Sequence, residues 1–461
     1  MEFWDREVEK NRIKKQLNKE GKTCFIVIYG RRRLGKSTLI RQVLSKDDIY
    51  FEADRSEQSQ QRHLLCQTFS QAISGIDQIP FTDYDAILNY TNRVCKKGVT
   101  ICIDEFPYLV EKCPELPSIL QKHIDSGLNF NLIICGSSQR MMQKMVLQYS
   151  EPLYGRADDI INLKPIKIEW LKEALNLSAS QTIEEYSVWG GVPRYWKLRK
   201  NYPSLRSAIM ELMLQPESML LEEPLRLFFD DTENTTQLST ILSIVGSGAN
   251  RLSEIAGRLE KPATALSAPL NRLISMGYLR REVAWGDDNS HSKSKKTYYR
   301  INDPFLDFYY HFLVAYRSAI NIGKGDYVME KIDRNFSEYV SFHWEDICRQ
   351  FISGNNIFGQ RWEMAQRWWG NVPNYDRDEN KSKYRPIEID VIAMSEDGKH
   401  ILIGECKWTN KENATRVLEE LKRKTSTLPI AEGKERVYVL FLKEDATYKK
   451  GINVITPNDL L

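Results

Sequence analysis

Residues Gly30 to Ser37 read GRRRLGKS, two glycines separated by four residues and followed at once by an ammonium and a hydroxyl. Glycines let a loop curl until consecutive backbone N–H groups converge on one anion. A helix starting at the end of that loop adds the positive pole of its dipole. Lys36 is then placed for the β- and γ-phosphates of a nucleoside triphosphate, and Ser37 for the Mg²⁺ that travels with them. The stretch Gly30, Arg31, Arg32, Arg33, Leu34, Gly35, Lys36, Ser37 and the next residue, Thr38, is a candidate ATP cradle. The sequence alone leaves open whether the three arginines hold phosphate or stay solvated.

A second constellation has the residue types that a phosphate cradle needs as partners. The apolar run Ile101-Cys-Ile ends in Asp104-Glu105. A strand ending in two carboxylates puts Asp104 beside the metal and Glu105 beside the water that attacks the γ-phosphate. A later apolar run ends in Gly136-Ser137-Ser138, where the Ser137 hydroxyl either orients the γ-phosphate or belongs to a plain Gly-Ser turn. Charge developing on the transferred phosphoryl group needs a cation. Arg156, in LYGR, is the first candidate and Arg194, in GGVPRYW, the second; a structural salt bridge is the alternative for each.

The third constellation is near the C-terminus. Asp397-Gly398 separates two alternating runs, Ile387–Met394 and His400–Trp408, and reads as a two-residue type I′ hairpin turn. Glu396 then pairs with Lys399, which puts Asp390 opposite Glu405 and Glu388 opposite Lys407. Two directly opposed carboxylates repel unless a cation lies between them. A Mg²⁺ held by Asp390 and Glu405, with Lys407 steering or activating a water, would be suited to phosphodiester hydrolysis. Arg361, Arg367, Trp368 and Trp369 line a nucleic-acid groove or, for the tryptophans, fill a core.

The elements that must position these groups follow from periodicity. Apolar runs at Cys24–Tyr29, Ile49–Glu52, Val99–Ile103 and Asn131–Cys135 read as buried parallel strands. Helical stretches Ser37–Leu44, Gln61–Ile73, Ala86–Lys96 and Leu116–Ser126 lie between them, the rhythm of a doubly wound α/β sheet. The expected division is a P-loop ATPase core over 1–164, a helical lid over 165–234, a winged helix over 235–320 and a C-terminal domain over 336–461. The winged helix rests on the helix Arg251–Leu259, a turn at Glu260-Lys-Pro262, the helix Ala263–Met276 capped by Gly277, and strands Tyr278–Val283 and Thr297–Ile301. Residues 251–300 carry ten Lys/Arg against five Asp/Glu, including Lys293, Lys295 and Lys296 in a Ser/Lys-rich loop suited to DNA phosphates. Pro269 falls inside the second helix and should kink it.

The short N-terminal helix, GRRRLGKS, IDEF (Ile103–Phe106), GSS (Gly136–Ser138), LYGR (Leu153–Arg156) and GGVPRYW (Gly190–Trp196) together resemble the archaeal-type ATPases, which also occur in bacteria. The resemblance spans roughly residues 1–320. It implies an AAA-like P-loop core with an extra strand beside the P-loop strand, a helical lid, a winged helix and a further C-terminal domain. Separately, Asp390…Glu405-Cys-Lys407 resembles the restriction-endonuclease-like fold, whose pattern is D…(D/E)-x-K on such a hairpin. In that fold a preceding helix often adds an acidic residue, and Glu345 matches that position as a further metal ligand.

Composition bounds these readings. The chain has 461 residues, more than one ordinary core, with 65 Lys plus Arg against 62 Asp plus Glu, so any basic surface is local. Eight cysteines form no C-x-x-C pair and several sit in apolar runs, so buried thiols are expected. The charged N-terminus lacks a signal-peptide core and no stretch of eighteen apolar residues occurs, so a cytoplasmic protein without a membrane partner is expected. The reading that unites these features is an ATP- and Mg²⁺-dependent ATPase acting on DNA, with a candidate nuclease site. The rival is a non-cleaving ATP-dependent switch or adaptor for a protein partner, and RNA is a third substrate class. If Arg156 or Arg194 serves a neighbour's ATP, a homo-oligomer is required; if its own, a monomer suffices.

Overall fold

The computed structural model describes residues 4–228, 235–286, 297–373, 384–444 and 451–461. The chain forms two compact units: Met1–Ile166 with Val192–Leu198 and Glu222–Thr235, and Lys167–Gly191 with Arg199–Leu221 and Thr236–Leu461. The span 165–234, expected as one lid, is therefore divided between them. No helix among the described residues is long and apolar enough to cross a membrane. All eight cysteines are buried thiols.

The first unit is built on five parallel strands: β1 (Phe25–Tyr29), β2 (Ile49–Glu52), β3 (Thr100–Asp104), β4 (Asn131–Gly136) and β5 (Asp159–Asn162), in the order β2-β3-β4-β1-β5. Every residue of β1, β3 and β4 is buried, as parallel strands covered on both faces must be. Ile134 of β4 is fully buried, and cutting it to Ala would cost about 2–5 kcal/mol. β4 is inserted between β1 and β3, the extra strand that the resemblance implies. β5 was not foreseen: four residues with one buried side chain give too little pattern to read. Because all five strands run the same way, the turns after β1, β3 and β4 emerge on one edge of the sheet. That edge gathers Gly30–Ser37, Asp104-Glu105 and Ser137.

In the second unit, helices Leu252–Arg258 and Ser267–Ser275 precede the antiparallel pair β6 (Leu279–Glu282) and β7 (Tyr298–Ile301). Pro269 does not kink a long helix. The segment Ala263–Leu266 is a separate 3₁₀ turn, and Pro269 falls in the first turn of the helix that follows, where backbone N–H groups need no partner. Gly277, at φ +75°, closes that helix as expected, with the Tyr278 N–H donating to the Leu273 carbonyl. The basic loop with Lys293, Lys295 and Lys296 lies outside the described residues.

A 28-residue helix, Gly325–Ile352, begins well before the expected start at 336. After it come a short pair, β8 (Asn356–Ile357) and β9 (Gln360–Arg361), and then β10 (Gln366–Pro373), β11 (Tyr384–Met394), β12 (His400–Lys407), β13 (Glu435–Leu442) and β14 (Asn453–Ile455). The last five form a mixed sheet in sequence order, antiparallel from β10 to β12 and parallel from β12 to β14. The β11–β12 register is the expected one, with Val391 against Gly404 and Met394 against Ile401. The turn is not type I′. Asp397 is outside the positive-φ residues, only Gly398 is left-handed at +69°, and the bridge Ser395–His400 closes a four-residue loop. That loop is centred on the same point as a two-residue one, so the register is unchanged. Ala284, just after β6, belongs to the same apolar cluster as Trp368, Ile389 and Ile403, so the helix–hairpin segment and the mixed sheet share one core.

Candidate active site

The P-loop turns through two left-handed residues, Arg33 at φ +70° and Gly35 at φ +87°, before the helix Lys36–Val43 begins. Gly30 has no room for a side chain, since a Cβ there would stand 2.6 Å from the Leu163 carbonyl oxygen. Lys36 Nζ donates to the carbonyls of Gly30 (2.8 Å) and Arg31 (3.2 Å). Ser37 Oγ donates to Asp104 Oδ2 at 2.6 Å, so the loop hydroxyl and the β3 carboxylate share one point, as ligands of a single Mg²⁺ would. Thr38 follows within the helix.

Glu105 is the left-handed residue that starts the helix Phe106–Lys112 (φ 51°, ψ 40°). Its Oε2 accepts from Ser137 Oγ (2.8 Å) and from the Ser137 N–H (3.1 Å). Burial raises the Glu105 carboxyl above its ordinary range, against the opposing pull of Lys36 and the Ser137 N–H. Of the two adjacent serines, Ser137 meets Glu105, whereas Ser138 caps the helix Gln139–Leu147. Such backbone strain at a residue holding a carboxylate in place is typical of functional positions.

The three loop arginines go to different places. Arg31 is buried, Arg32 Nη2 donates to Tyr108 Oη at 2.7 Å, and Arg33 Nε pairs with Glu223 Oε1 at 2.5 Å. The Leu34 carbonyl accepts from Arg6, a buried residue just before the first helix whose guanidinium also reaches the Lys164 carbonyl. Tyr50 Oη is a further donor to Asp104 Oδ2. Arg6, Tyr50 and Glu223 escaped the sequence reading because no motif contains them.

Arg156 does not join this group. Its Nε and Nη2 grip Asp125 at 2.8 and 2.9 Å, between the end of the helix Leu116–Ser126 and the start of β5. Asp158 two residues on bonds Phe25, the first residue of β1, which fixes Arg156 at the edge of the sheet opposite the P-loop. Arg194 is exposed on the helix Pro193–Arg199, in a segment grouped with the first unit.

At the C-terminal hairpin, Asp390 and Glu405 face each other, and Asp390 Oδ2 accepts the Cys406 N–H at 2.8 Å. Burial and then the Glu405 charge raise the Asp390 carboxyl. Both oxygens of Glu405 are taken by ammonium groups, Oε1 by Lys407 (2.9 Å) and Oε2 by Lys424 (2.7 Å), from the helix Ala414–Thr425. Lys424 is the cation that the motif did not predict. Glu345 lies on the long helix, and burial followed by Asp390 pushes its carboxyl up to about 7. Beside it, Arg349 donates to the Asp390 carbonyl (2.6 Å) and pairs with Glu345 (3.5 Å) and Asp346. Asp346 also meets Arg280 of β6 at 2.5 Å, so a buried ionic chain runs from the β6–β7 hairpin to Asp390. Glu388 pairs with Arg367 on β10 rather than with Lys407.

These donors are hard oxygen ligands of the kind Mg²⁺ takes, but most are already engaged by protein cations or N–H groups. Among the described residues no three His, Cys, Asp or Glu side chains gather as a metal-holding group. Asp390, Glu405 and Glu345, the three expected metal ligands, share one electrostatic neighbourhood, with Glu405 engaged by Lys407 and Lys424. Trp368 is core, Trp369 stacks edge-on against Tyr298, and Arg361 pairs with Glu396.

An uncharacterised protein of Methanocaldococcus jannaschii is 28% identical over 459 residues, covering 97% of each chain. Among solved structures, the ORC2 protein of Aeropyrum pernix, determined as ADPNP and ADP complexes, aligns over 72% of this chain and 95% of its own at 13% identity and a TM-score of 0.45. The RuvB Holliday junction branch migration motor of Thermotoga maritima aligns over 64% and 92% at 17% identity and a TM-score of 0.34. Residues 309–418 match a family of archaeal and bacterial proteins of unknown function. Residues 3–197, which hold the P-loop, Asp104, Glu105 and Ser137, match the family described as ATPase domains found predominantly in Archaea.

Proposed function

We propose that this chain binds ATP with Mg²⁺ and hydrolyses it at the edge formed by Gly30–Ser37, Asp104, Glu105 and Ser137. The observation that carries the reading is the 2.6 Å contact between Ser37 and Asp104, with Glu105 beside them held by Ser137. In this reading the loop N–H groups and Lys36 take the phosphates, and Ser37 and Asp104 hold the metal. Glu105 orients and deprotonates the attacking water while Ser137 fixes its carboxylate. Arg156 serves the phosphoryl group of a second copy or none, since its own phosphate edge lies across the sheet. ATPase assays on the full chain test this: Lys36→Ala should lose nucleotide binding, and Glu105→Gln should keep binding and lose turnover. Full activity in either variant would overturn the assignment.

The same reading has the second unit act on DNA, with the winged helix expected over 235–320 as the duplex-holding element, followed in the chain by a restriction-endonuclease-like domain over 336–461. The opposed pair Asp390 and Glu405 with Lys407 supports metal-assisted cleavage. The ammonium on each Glu405 oxygen supports the rival, a domain that holds a partner without cutting. Incubation of single- and double-stranded DNA with Mg²⁺ or Mn²⁺, with and without ATP, separates the two. Cutting that disappears in Asp390→Ala and Glu405→Ala establishes the nuclease. Intact DNA under every condition leaves the ATP-driven adaptor.

A further inference from the structure

We infer that Glu223 is a positioning residue of the nucleotide site, holding Arg33 of the P-loop and Tyr195 of GGVPRYW on one carboxylate oxygen so that the loop keeps its phosphate-binding shape. The inference rests on the ATP-binding reading above and adds a residue outside both matched families. Glu223 is 0% exposed. Its Oε1 is ion-paired with Arg33 Nε at 2.5 Å and accepts a hydrogen bond from Tyr195 Oη at 3.0 Å. Its Oε2 is buried and has no hydrogen-bond partner among the described residues.

A buried carboxylate with an unbonded oxygen is costly, and where packing alone is needed an apolar side chain of similar volume does better. Burial raises the Glu223 carboxyl, and Arg33 is the first of the groups that oppose the rise, followed by Tyr195, Arg226 and Arg31. The carboxylate thus has a local task, which the backbone of Arg33 identifies. Arg33 is left-handed, a conformation unfavourable for any residue with a Cβ and sustained only where surroundings impose it. Arg33 is two residues before Gly35, the other left-handed turn, and three before Lys36. Its tether to Glu223 therefore sets the curl that aims the loop N–H groups. The contact also commits Arg33 Nε to the protein, so Arg33 acts as a strut of the loop.

Three stretches of chain meet at this one oxygen: the P-loop, Val192–Leu198 and Glu222–Thr235. The last two are the parts of the helical region that group with the first unit. Since loop N–H groups contact phosphate alike in the ground and transition states, losing the strut should act on KM far more than on kcat.

The test uses the full chain, with a fluorescent ATP analogue for affinity and steady-state ATPase assays for KM and kcat. Glu223→Gln keeps the volume, removes the charge and puts an N–H donor among arginines; Arg33→Met removes the partner. Each should weaken nucleotide binding about tenfold, the size expected when one buried charge-assisted contact is lost. The double variant should be no weaker than the weaker single, because both remove one interaction. Singles that bind as tightly as wild type overturn the inference, as does a double variant whose losses add. So does a Glu223→Gln protein whose only change is a lower melting temperature. A wild-type chain that binds no nucleotide sinks the ATP-binding reading and this inference with it.

Discussion

Replacing Arg349 with Met should loosen the C-terminal sheet and leave the parallel sheet of the first unit untouched. The Arg349 guanidinium is almost wholly buried and does three things: it bonds the Asp390 carbonyl at 2.6 Å, pairs with Glu345 at 3.5 Å and meets Asp346. Removing one partner from a buried ion pair costs about 3–5 kcal/mol because the other charge stays behind. Two features lower that figure. Asp346 keeps Arg280 at 2.5 Å, and Glu345, already pushed up to about 7, loses its unpaired buried charge by taking a proton. The Asp390 carbonyl still loses a charge-assisted bond, so a net loss of about 3 kcal/mol is expected. Hydrogen exchange read by peptide is the assay, since two units make a single unfolding free energy ill-defined. Amides of β11 and β12 should exchange roughly a hundredfold faster, and those of β1 and β4 at the wild-type rate. Adding Asp346→Asn should restore part of the protection by removing the stranded anion. Unchanged exchange in β11 and β12, or equal acceleration in β1 and β4, would refute the reasoning.

The remaining expectations are more local. Glu105→Gln should lower ATP turnover by roughly 10²–10⁴-fold, the range for a lost general base, with ADP affinity retained in a binding titration. The Glu345 carboxyl is raised in the fold from 4.5 to about 7, so the folded chain binds the extra proton. Its contribution to stability is full below 4.5 and is lost as pH rises to about 7. C-terminal protection should therefore decline over that window in wild type, with a smaller decline in Glu345→Gln. Lys424→Ala frees one Glu405 oxygen and should tighten Mn²⁺ binding in calorimetry. Equal affinity in both proteins would show that Lys424 does not compete for the site.

What could be read from the sequence was short-range. GRRRLGKS needs only backbone geometry over eight residues and the strand before it, so its neighbours and its placement at the sheet edge were readable directly. The Asp390–Glu405 opposition was equally readable, because hairpin register is symmetric about the turn and survived a wrong turn type. Lys424 and Glu223 were not, because each acts through a contact across the fold, Lys424 with Glu405 and Glu223 with Arg33. Neither has a periodic or motif position that marks it. The role of Pro269 is hidden for a related reason: proline ends one helical stretch or begins another, and the choice depends on whether the chain before it winds as 3₁₀.

The position of Arg156 follows from strand direction alone, and it constrains the chemistry. Five parallel strands give the sheet one edge where strands end and another where they begin. The P-loop follows β1, Asp104 is the last residue of β3 and Ser137 follows β4, whereas Arg156 precedes the start of β5 and is held there by Asp125. A guanidinium on the starting edge does not reach a phosphate on the ending edge of the same sheet. In the proposed reading, Lys36 and the loop arginines are the cations of the P-loop itself, and among these Arg32 is hydrogen-bonded to Tyr108 and Arg33 ion-paired with Glu223. Transition-state charge on the phosphoryl group would then fall to Lys36, the metal and whatever arginine arrives from outside the loop. If that arginine is Arg156, turnover depends on a second copy and rises with protein concentration. If it is Arg194, whose segment groups with the P-loop unit, turnover per chain is independent of concentration.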